Sequence, residues 1–253
     1  MKKIALFVLA LASWAIHAAP LAPPDTIAER AKPCIACHGN EGRTARNEYY
    51  PRLSGKPQGY LFNQMVNFRD GQRRHRAMAL LMQNLSDAYL LEIAGHFAAQ
   101  APQYAASKNK TGETPAPALI TQGDPSRKIP ACAACHGKSL LGVAPNIPGL
   151  LGLPADYVSA QMGAWKVATR RAPQPDCMGD IAKQLSDVEV NAVANWLAAQ
   201  PLVANSHPAA ALTDALPVKC GSVPDIVSAS CRCRLKFDPP CRLNIDPGPV
   251  VAF

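Results

Sequence analysis

The stretch Cys34-Ile35-Ala36-Cys37-His38-Gly39 recurs later in the chain as Cys132-Ala133-Ala134-Cys135-His136-Gly137. Covalent haem attachment requires two thiols one helical turn apart, for two thioether bonds, and an imidazole beside them to bind the iron. A thioredoxin-like pair would need a βαβ context and a zinc site a second pair of ligands, and the sequence offers neither. The motifs therefore predict two covalently bound haem c groups, held by Cys34, Cys37, Cys132 and Cys135, with His38 and His136 as iron ligands.

The two motifs lie within a tandem duplication. Further matches follow each motif in the same order: Pro51-Arg52-Leu53-Ser54-Gly55 with Pro148-Gly149-Leu150-Leu151-Gly152, Tyr60 with Tyr157, Gln64 with Gln161, Arg73-Arg74 with Arg170-Arg171, and Leu85-Ser86-Asp87 with Leu185-Ser186-Asp187. Because so many pairs keep one order, we infer two copies of one small domain.

Each copy shows helical periodicity near its end. Apolar residues spaced i, i+3, i+4, i+7 occur in both copies, at Leu90, Ile93, Ala94 and Phe97 and again at Val190, Val193, Ala194 and Leu197. Ser86 and Ser186 are the predicted N-caps, and Ser186 with Glu189 has the spacing of a capping box. The pattern predicts an all-α fold.

The domain boundaries follow from the repeat and from composition. We predict one haem domain over residues 25–104 and a second over 123–202, joined by a polar, proline-containing linker at 105–122. Residues 203–253 form an irregular tail containing cysteines and prolines, which we expect to be poorly ordered.

The N-terminus and the charge indicate the compartment and the partners. Residues 1–18 have the form of a secretory signal peptide, which predicts export to the periplasm, with peripheral membrane association if the signal is not cleaved. The net charge is +8, and the first domain is mildly basic, which favours a docking face for a redox partner. Nucleic-acid motifs are absent, so no nucleic-acid partner is expected.

Two pairs of methionines are candidates for the second axial ligand. Met65 and Met162 lie in apolar helical stripes, which favours packing in the core. Met78 and Met178 lie in the loop before the last helix of each copy, far enough from the histidines for the chain to pass round a haem. We predict Met78 for the first iron and Met178 for the second, because Met/His ligation is common in cytochromes. His75 is a rival at the first site, without a counterpart in the second copy.

Two further features leave alternatives open. Five cysteines lie outside the haem motifs: Cys177, Cys220, Cys231, Cys233 and Cys241. A bond from Cys177 to the tail would hold the tail beside the second haem; alternatively, the tail is an extension without a function. The paired arginines of the repeat form either a solvated loop or a group of cations that neutralises haem propionates or docks an acidic partner.

With both haem motifs, the Pro-x-Leu-x-Gly pairs, Phe68-Arg69-Asp70-Gly71 and the Leu-Ser-Asp runs in place, the chain resembles dihaem cytochrome c4 over about residues 25–202. The resemblance implies two class I cytochrome c domains packed face to face, with axial pairs His38/Met78 and His136/Met178. It also implies that Pro51 and Pro148 offer their carbonyls to the ligating imidazoles. The chain departs from the family at Ala164-Trp165-Lys166, at Cys177 and in the tail.

Two irons with six ligands each imply a one-electron carrier and not an enzyme. The expected electron donor is a quinol-oxidising complex or a dehydrogenase, and the expected acceptor is a terminal oxidase. An alternative is the electron-accepting cytochrome subunit of a dehydrogenase, such as a sulfide-oxidising flavoprotein. A dihaem peroxidase is a further alternative, but it needs an open haem face, which a methionine ligand at both irons would remove.

Overall fold

Helices dominate both halves of the computed structural model, which describes residues 25–42, 50–102, 115–201 and 206–223. The first half contains α1 (Ile27–His38), α2 (Gln58–Arg69), α3 (Arg76–Met82) and α4 (Asp87–Ala99). The second contains α5 (Ala118–Thr121), α6 (Cys132–His136), α7 (Ala155–Lys166), α8 (Cys177–Gln184) and α9 (Asp187–Ala199). A short antiparallel hairpin, β1 (Gly142–Val143) and β2 (Ile147–Pro148), lies between α6 and α7. The all-α prediction is confirmed, and the hairpin is the one addition among the described residues.

The last helix of each half begins at the predicted serine. Ser86 Oγ accepts a hydrogen bond from the Tyr89 amide at 3.2 Å, and Ser186 Oγ accepts one from the Glu189 amide at 3.2 Å. Glu189 also accepts from the Ser186 amide at 2.7 Å, which completes the capping box. These bonds satisfy amides that the first turn of a helix leaves without partners, so α4 and α9 begin at these residues.

The apolar stripes of α4 and α9 form the centres of two separate cores. The stripe of α4 packs on α2, and Leu90 and Ala94 are 0% exposed. The stripe of α9 packs on α7 in the same way. Burying each large apolar side chain stabilises the fold by about 1.5–3 kcal/mol.

In each half, an ion pair joins the end of one helix to the start of the last helix. Arg69 contacts Asp87 at 2.7 Å in the first half, and Lys166 contacts Asp187 at 2.6 Å in the second. The Ala164-Trp165-Lys166 stretch, where the chain departs from the cytochrome c4 pattern, therefore keeps the cation that this contact requires.

The second domain begins earlier than the predicted boundary at residue 123. Helix α5 lies within the stretch predicted as a linker, 105–122, and its Ile120 is 1% exposed in the second core. A four-residue helix carries too short a periodic pattern to be recognised in a polar, proline-containing sequence. Residues 105–114 of the predicted linker lie outside the described residues.

Part of the predicted tail is ordered against the second domain. Cys177 and Cys220 form a disulfide, and Ala209 pairs with Val143 as an isolated bridge beside β1. The prediction of a poorly ordered tail is therefore wrong for residues 206–223, because these contacts hold the segment in place. The predicted signal peptide and Cys231, Cys233 and Cys241 lie outside the described residues. In the parts of the chain that the structure describes, no helix is long and apolar enough to cross a membrane.

Candidate haem-binding sites

Each Cys-x-x-Cys-His motif ends a helix with a buried histidine. His38 and His136 are the last residues of α1 and α6. His38 Nδ1 donates to the Pro51 carbonyl at 2.8 Å, and His136 Nδ1 donates to the Pro148 carbonyl at 2.7 Å. Because a carbonyl can only accept, Nδ1 carries the proton and Nε2 keeps the lone pair that a metal needs. Burial lowers the pKa of both imidazoles, which favours this neutral form.

The four motif cysteines form no disulfide and lie on the walls of two cavities. Cys34 and Cys37 line the first cavity beside His38, and Cys132 and Cys135 line the second. Burial raises the pKa of the Cys132 thiol to about 11. Because neither motif pair is joined by a disulfide, all four sulfurs remain for the thioether bonds of covalent haem attachment.

The cavities have the character of cofactor sites. The first measures about 580 Å³ and the second about 170 Å³. Both walls are mainly apolar with a few polar groups, as is usual where a protein encloses a cofactor. Trp165 and residues of the C-terminal tail contribute to the wall of the smaller cavity.

Both candidate methionine pairs line the cavities. Met65 is 9% exposed and belongs to the first core, and Met162 packs against the small cluster around Ile129. These contacts support the packing role inferred for this pair. Met78 and Met178 are half-buried near the starts of α3 and α8 and line the same cavities as His38 and His136.

A polar side chain fixes the start of each methionine-bearing helix. His75 Nδ1 accepts a hydrogen bond from the Met78 amide at 3.3 Å and so caps α3. In the second half, Asp176 caps α8, because its carboxylate accepts from the Gly179 amide at 3.0 Å and from the Ala172 amide at 2.9 Å. The structure thus gives His75 a capping role, and Asp176 has the same role without having been predicted from the sequence.

Two buried arginines at equivalent positions of the repeat join the halves. Arg73 donates to a glutamine of its own half and to two side chains of the other half: Gln64 at 2.9 Å, Tyr157 at 3.1 Å and Gln161 at 2.6 Å. Arg170 does the same in reverse: Gln161 at 2.9 Å, Tyr60 at 3.4 Å and Gln64 at 3.1 Å. The interpretation as a solvated loop is therefore wrong for these two side chains, since the facing domain removes them from water.

Backbone hydrogen bonds join the same two loops. The Arg74 amide donates to the Thr169 carbonyl at 2.8 Å, and the Arg171 amide donates to the Gln72 carbonyl at 2.7 Å. The two domains consequently meet face to face through matched surfaces, and side chains of each domain line the cavity of the other.

Four buried cations lie along the first cavity: Arg52, Lys56, Arg73 and Arg170. Burial and then the charges of the three arginines lower the pKa of the Lys56 ammonium well below its usual value. Burying several like charges is costly unless anions accompany them. A haem, which carries two propionate carboxylates, fits this wall of the cavity. The sequence offered a partial signal, because the tyrosine and glutamine partners recur in both copies, although they were assigned no role.

The second cavity also presents an unused donor. Trp165 Nε1 is buried and has no hydrogen-bond partner among the described residues. The Arg170 guanidinium lies 3.8 Å from the centre of the Trp165 ring. With two thiols, a neutral imidazole and a half-buried methionine on the same wall, this donor set suits a covalently attached haem.

The comparisons with known proteins agree with this chemistry. No family model matches the chain. A thiosulfate dehydrogenase electron acceptor from Thiomonas intermedia (strain K12) is 39% identical over 200 residues, which are 78% of this chain and 88% of that protein. Cytochrome c4 of Pseudomonas aeruginosa is 34% identical over 178 residues, 68% of this chain and 87% of that protein. The structure of Acidithiobacillus ferrooxidans cytochrome c4 matches with a TM-score of 0.56 and 29% identity, over 67% of this chain and 99% of that one.

These likenesses confirm the predicted fold of two tandem class I cytochrome c domains, the two covalently bound haem c groups and the function of electron carriage. They also confirm the resemblance to dihaem cytochrome c4. The chain belongs to the dihaem cytochrome c4 family.

Proposed function

We propose that this dihaem electron carrier accepts electrons from a dehydrogenase that oxidises thiosulfate and delivers them to a terminal oxidase or another carrier. The observation that carries the proposal is the similarity to the Thiomonas electron acceptor, of which the match covers 88%. It favours the dehydrogenase alternative and points to thiosulfate in place of sulfide as the compound oxidised.

The proposed axial pairs are His38 with Met78 and His136 with Met178, beside the thioether links at the four motif cysteines. Their shared position on the cavity walls supports the assignment. The bound haems supply a one-electron couple, and a thioether ligand raises its potential. The Pro51 and Pro148 carbonyls hold the imidazole rings in one orientation, as partners of a ligating histidine generally do. With two protein ligands on each iron, no position remains for a substrate, so we expect no peroxidase activity.

The buried arginines would pair with haem propionates at the domain interface. Arg73 lines the first cavity and Arg170 lines both cavities, and tyrosine and glutamine oxygens hold the two side chains in place. Positive charge at this domain interface offsets the negative charge of the propionates.

The periplasm is the proposed compartment. The Cys177–Cys220 disulfide supports it, because structural disulfides persist in oxidising compartments and are rare in the cytosol. This is consistent with the signal peptide predicted at residues 1–18. We propose no nucleic-acid partner, and association with the membrane would be peripheral.

Stopped-flow absorption spectroscopy tests the electron donor. The oxidised protein is mixed with thiosulfate and a thiosulfate dehydrogenase, and reduction of the haems is followed in the visible bands. We expect both haems to be reduced at a rate that rises with the dehydrogenase concentration. One control omits the enzyme. A second replaces thiosulfate and its dehydrogenase by sulfide and a sulfide-oxidising flavoprotein. Rapid reduction by a quinol-oxidising complex alone, with none by the dehydrogenase, would show that the donor is wrong.

A further inference from the structure

We propose that residues 206–223, hereafter the strap, tie the histidine side of the second haem site to its methionine side. In this arrangement Cys177 and Cys220 are positioning residues that hold Met178 on the iron and close the second site to other ligands. The inference rests on the proposed ligand role of Met178 and concerns a segment that the family resemblance did not cover.

The first anchor of the strap lies on the histidine side. The Ala209 amide donates to the Gly142 carbonyl at 2.9 Å, and the Ala144 amide donates to the Ala209 carbonyl at 2.8 Å. Ala209 therefore extends the hairpin beyond β1. The other strand of that hairpin, β2, contains Pro148, whose carbonyl accepts from His136. The strap is thus attached to β1, the strand next to the one that contains Pro148, the partner of His136.

The second anchor lies on the methionine side. Cys220 is bonded to Cys177, the residue directly before Met178 at the start of α8. The Gly221 amide also donates to the Pro175 carbonyl at 2.9 Å, in the loop that leads into α8. A covalent bond and a backbone hydrogen bond therefore anchor the start of α8, the helix that carries Met178.

Gly221 shows how closely the strap approaches this loop. A Cβ atom at position 221 would overlap the backbone carbonyl groups of Gln174 and Pro173. Because backbone atoms cannot move aside as a flexible side chain can, only glycine permits the approach. The close approach therefore depends on glycine at position 221 as well as on the disulfide.

The strap also forms part of the wall of the second cavity. The strap residues that line it are Leu216, Val218, Cys220, Ser222 and Val223. Asn63 of the first domain donates to the Ser222 carbonyl at 3.3 Å, so the strap reaches the domain interface as well. Its apolar side chains lie where water or a small ligand would otherwise enter.

The first haem site differs at the equivalent position. Ala77, which is exposed, precedes Met78 where Cys177 precedes Met178. Among the described residues, no disulfide reaches α3, and the capping bond from Met78 to His75 holds its start. Segments with few stabilising contacts open locally more readily than well-anchored ones. The strap therefore makes the two sites unequal, and the first is the one that exchanges its methionine more readily.

The test compares ligand exchange at the two sites in the full-length, haem-loaded protein. A double variant, Cys177→Ser with Cys220→Ser, removes the bond without leaving an unpaired thiol at either position. Imidazole is titrated into the oxidised protein, and the upfield methyl resonances of the two ligating methionines are followed in the reduced protein. Thr213→Ala, an exposed change within the strap, is the matched control.

We expect the imidazole affinity of the second site to rise about tenfold or more in the double variant, while the first site and the Thr213→Ala protein stay unchanged. Gly221→Ala, with the disulfide intact, should raise the affinity of the same site, and it decides the question if the double variant does not fold. An unchanged second site, or an equal change at both sites, would overturn the proposal. Native protein that shows no methionine resonance for the second haem would refute the ligand assignment instead.

Discussion

All four candidate methionines line the cavities, and Met78 and Met178 are the proposed iron ligands. Met65 is enclosed in the first core, whereas Met78 and Met178 stand half-buried near the starts of short helices. The core packing of Met65 favours Met78 and Met178 as the proposed iron ligands.

Met78→Ala and Met178→Ala should each remove about half of the near-infrared sulfur-to-iron charge-transfer absorption, because each removes one thioether ligand. Met65→Ala should leave that absorption intact and lower the free energy of unfolding by about 2–5 kcal/mol, as core truncations do. Optical spectra and thermal unfolding measure the two effects. Loss of the charge-transfer absorption in Met65→Ala or Met162→Ala, with the absorption kept in Met78→Ala and Met178→Ala, would reverse the assignment.

His75→Ala should destabilise the fold and spare the first iron. The imidazole caps α3 through the Met78 amide, and loss of a cap costs about 1 kcal/mol. Asp176→Ala is the matched change in the second half and should cost more, because Asp176 accepts from two amides and is buried. Thermal unfolding compares the two variants. A changed ligand-field spectrum in His75→Ala, with stability unchanged, would make His75 an iron ligand.

At the scale of elements, ion pairs as well as the Ser186 cap stabilise the start of α9. Arg127 donates to Glu189 at 2.5 Å and to Asp124 at 2.6 Å. The Arg127 hydrogen bond, followed by that of the Ser186 amide, lowers the pKa of Glu189 to about 2. Hydrogen bonds from Ser126 and Arg127 likewise lower the pKa of Asp124 to about 2.

These carboxylates should make the stability of the second domain depend on pH in acid. In the unfolded chain they titrate near pH 4, so between about pH 4.5 and pH 2 the unfolded state binds more protons than the folded state. Their stabilisation is present above that window and is lost as the pH falls through about 2. Arg127→Met should therefore lower the melting temperature at pH 6 and have little effect near pH 2. Glu189→Gln should flatten the same pH profile, and an Arg127→Met effect that is constant with pH would contradict this account.

At the scale of the whole molecule, a feature could be predicted from the sequence when the residues that form it lie close together in the chain. The haem motifs, the serine caps and the apolar stripes are set by residues within a few positions, and the structure contains them as expected. The Cys177–Cys220 bond spans 43 residues and was one of several pairings the sequence allowed. The burial of Arg73 and Arg170 depends on the facing domain, so both of its interpretations stayed open until the interface was known.

That interface should couple the two haems electrostatically. Arg170 belongs to the second domain but lines the first cavity, next to Arg73 and Lys56. Removing a buried positive charge favours the oxidised iron, so Arg170→Met should lower the midpoint potential of both haems by on the order of tens of millivolts. Arg73→Met should do the same, and the two effects should not add, because both side chains share Gln64 and Gln161.

A spectroscopic redox titration of the two single variants and the double variant measures these shifts. Lys183→Met is the charge-matched control, because Lys183 is exposed on α8 and lines neither cavity. Its potentials should equal those of the native protein. If Arg170→Met shifted the potential of the second haem alone, the two haems would titrate independently. Arg73 and Arg170 could then not link the two sites electrostatically. A shift in both haems, absent from the control, requires that each domain sets part of the other's potential.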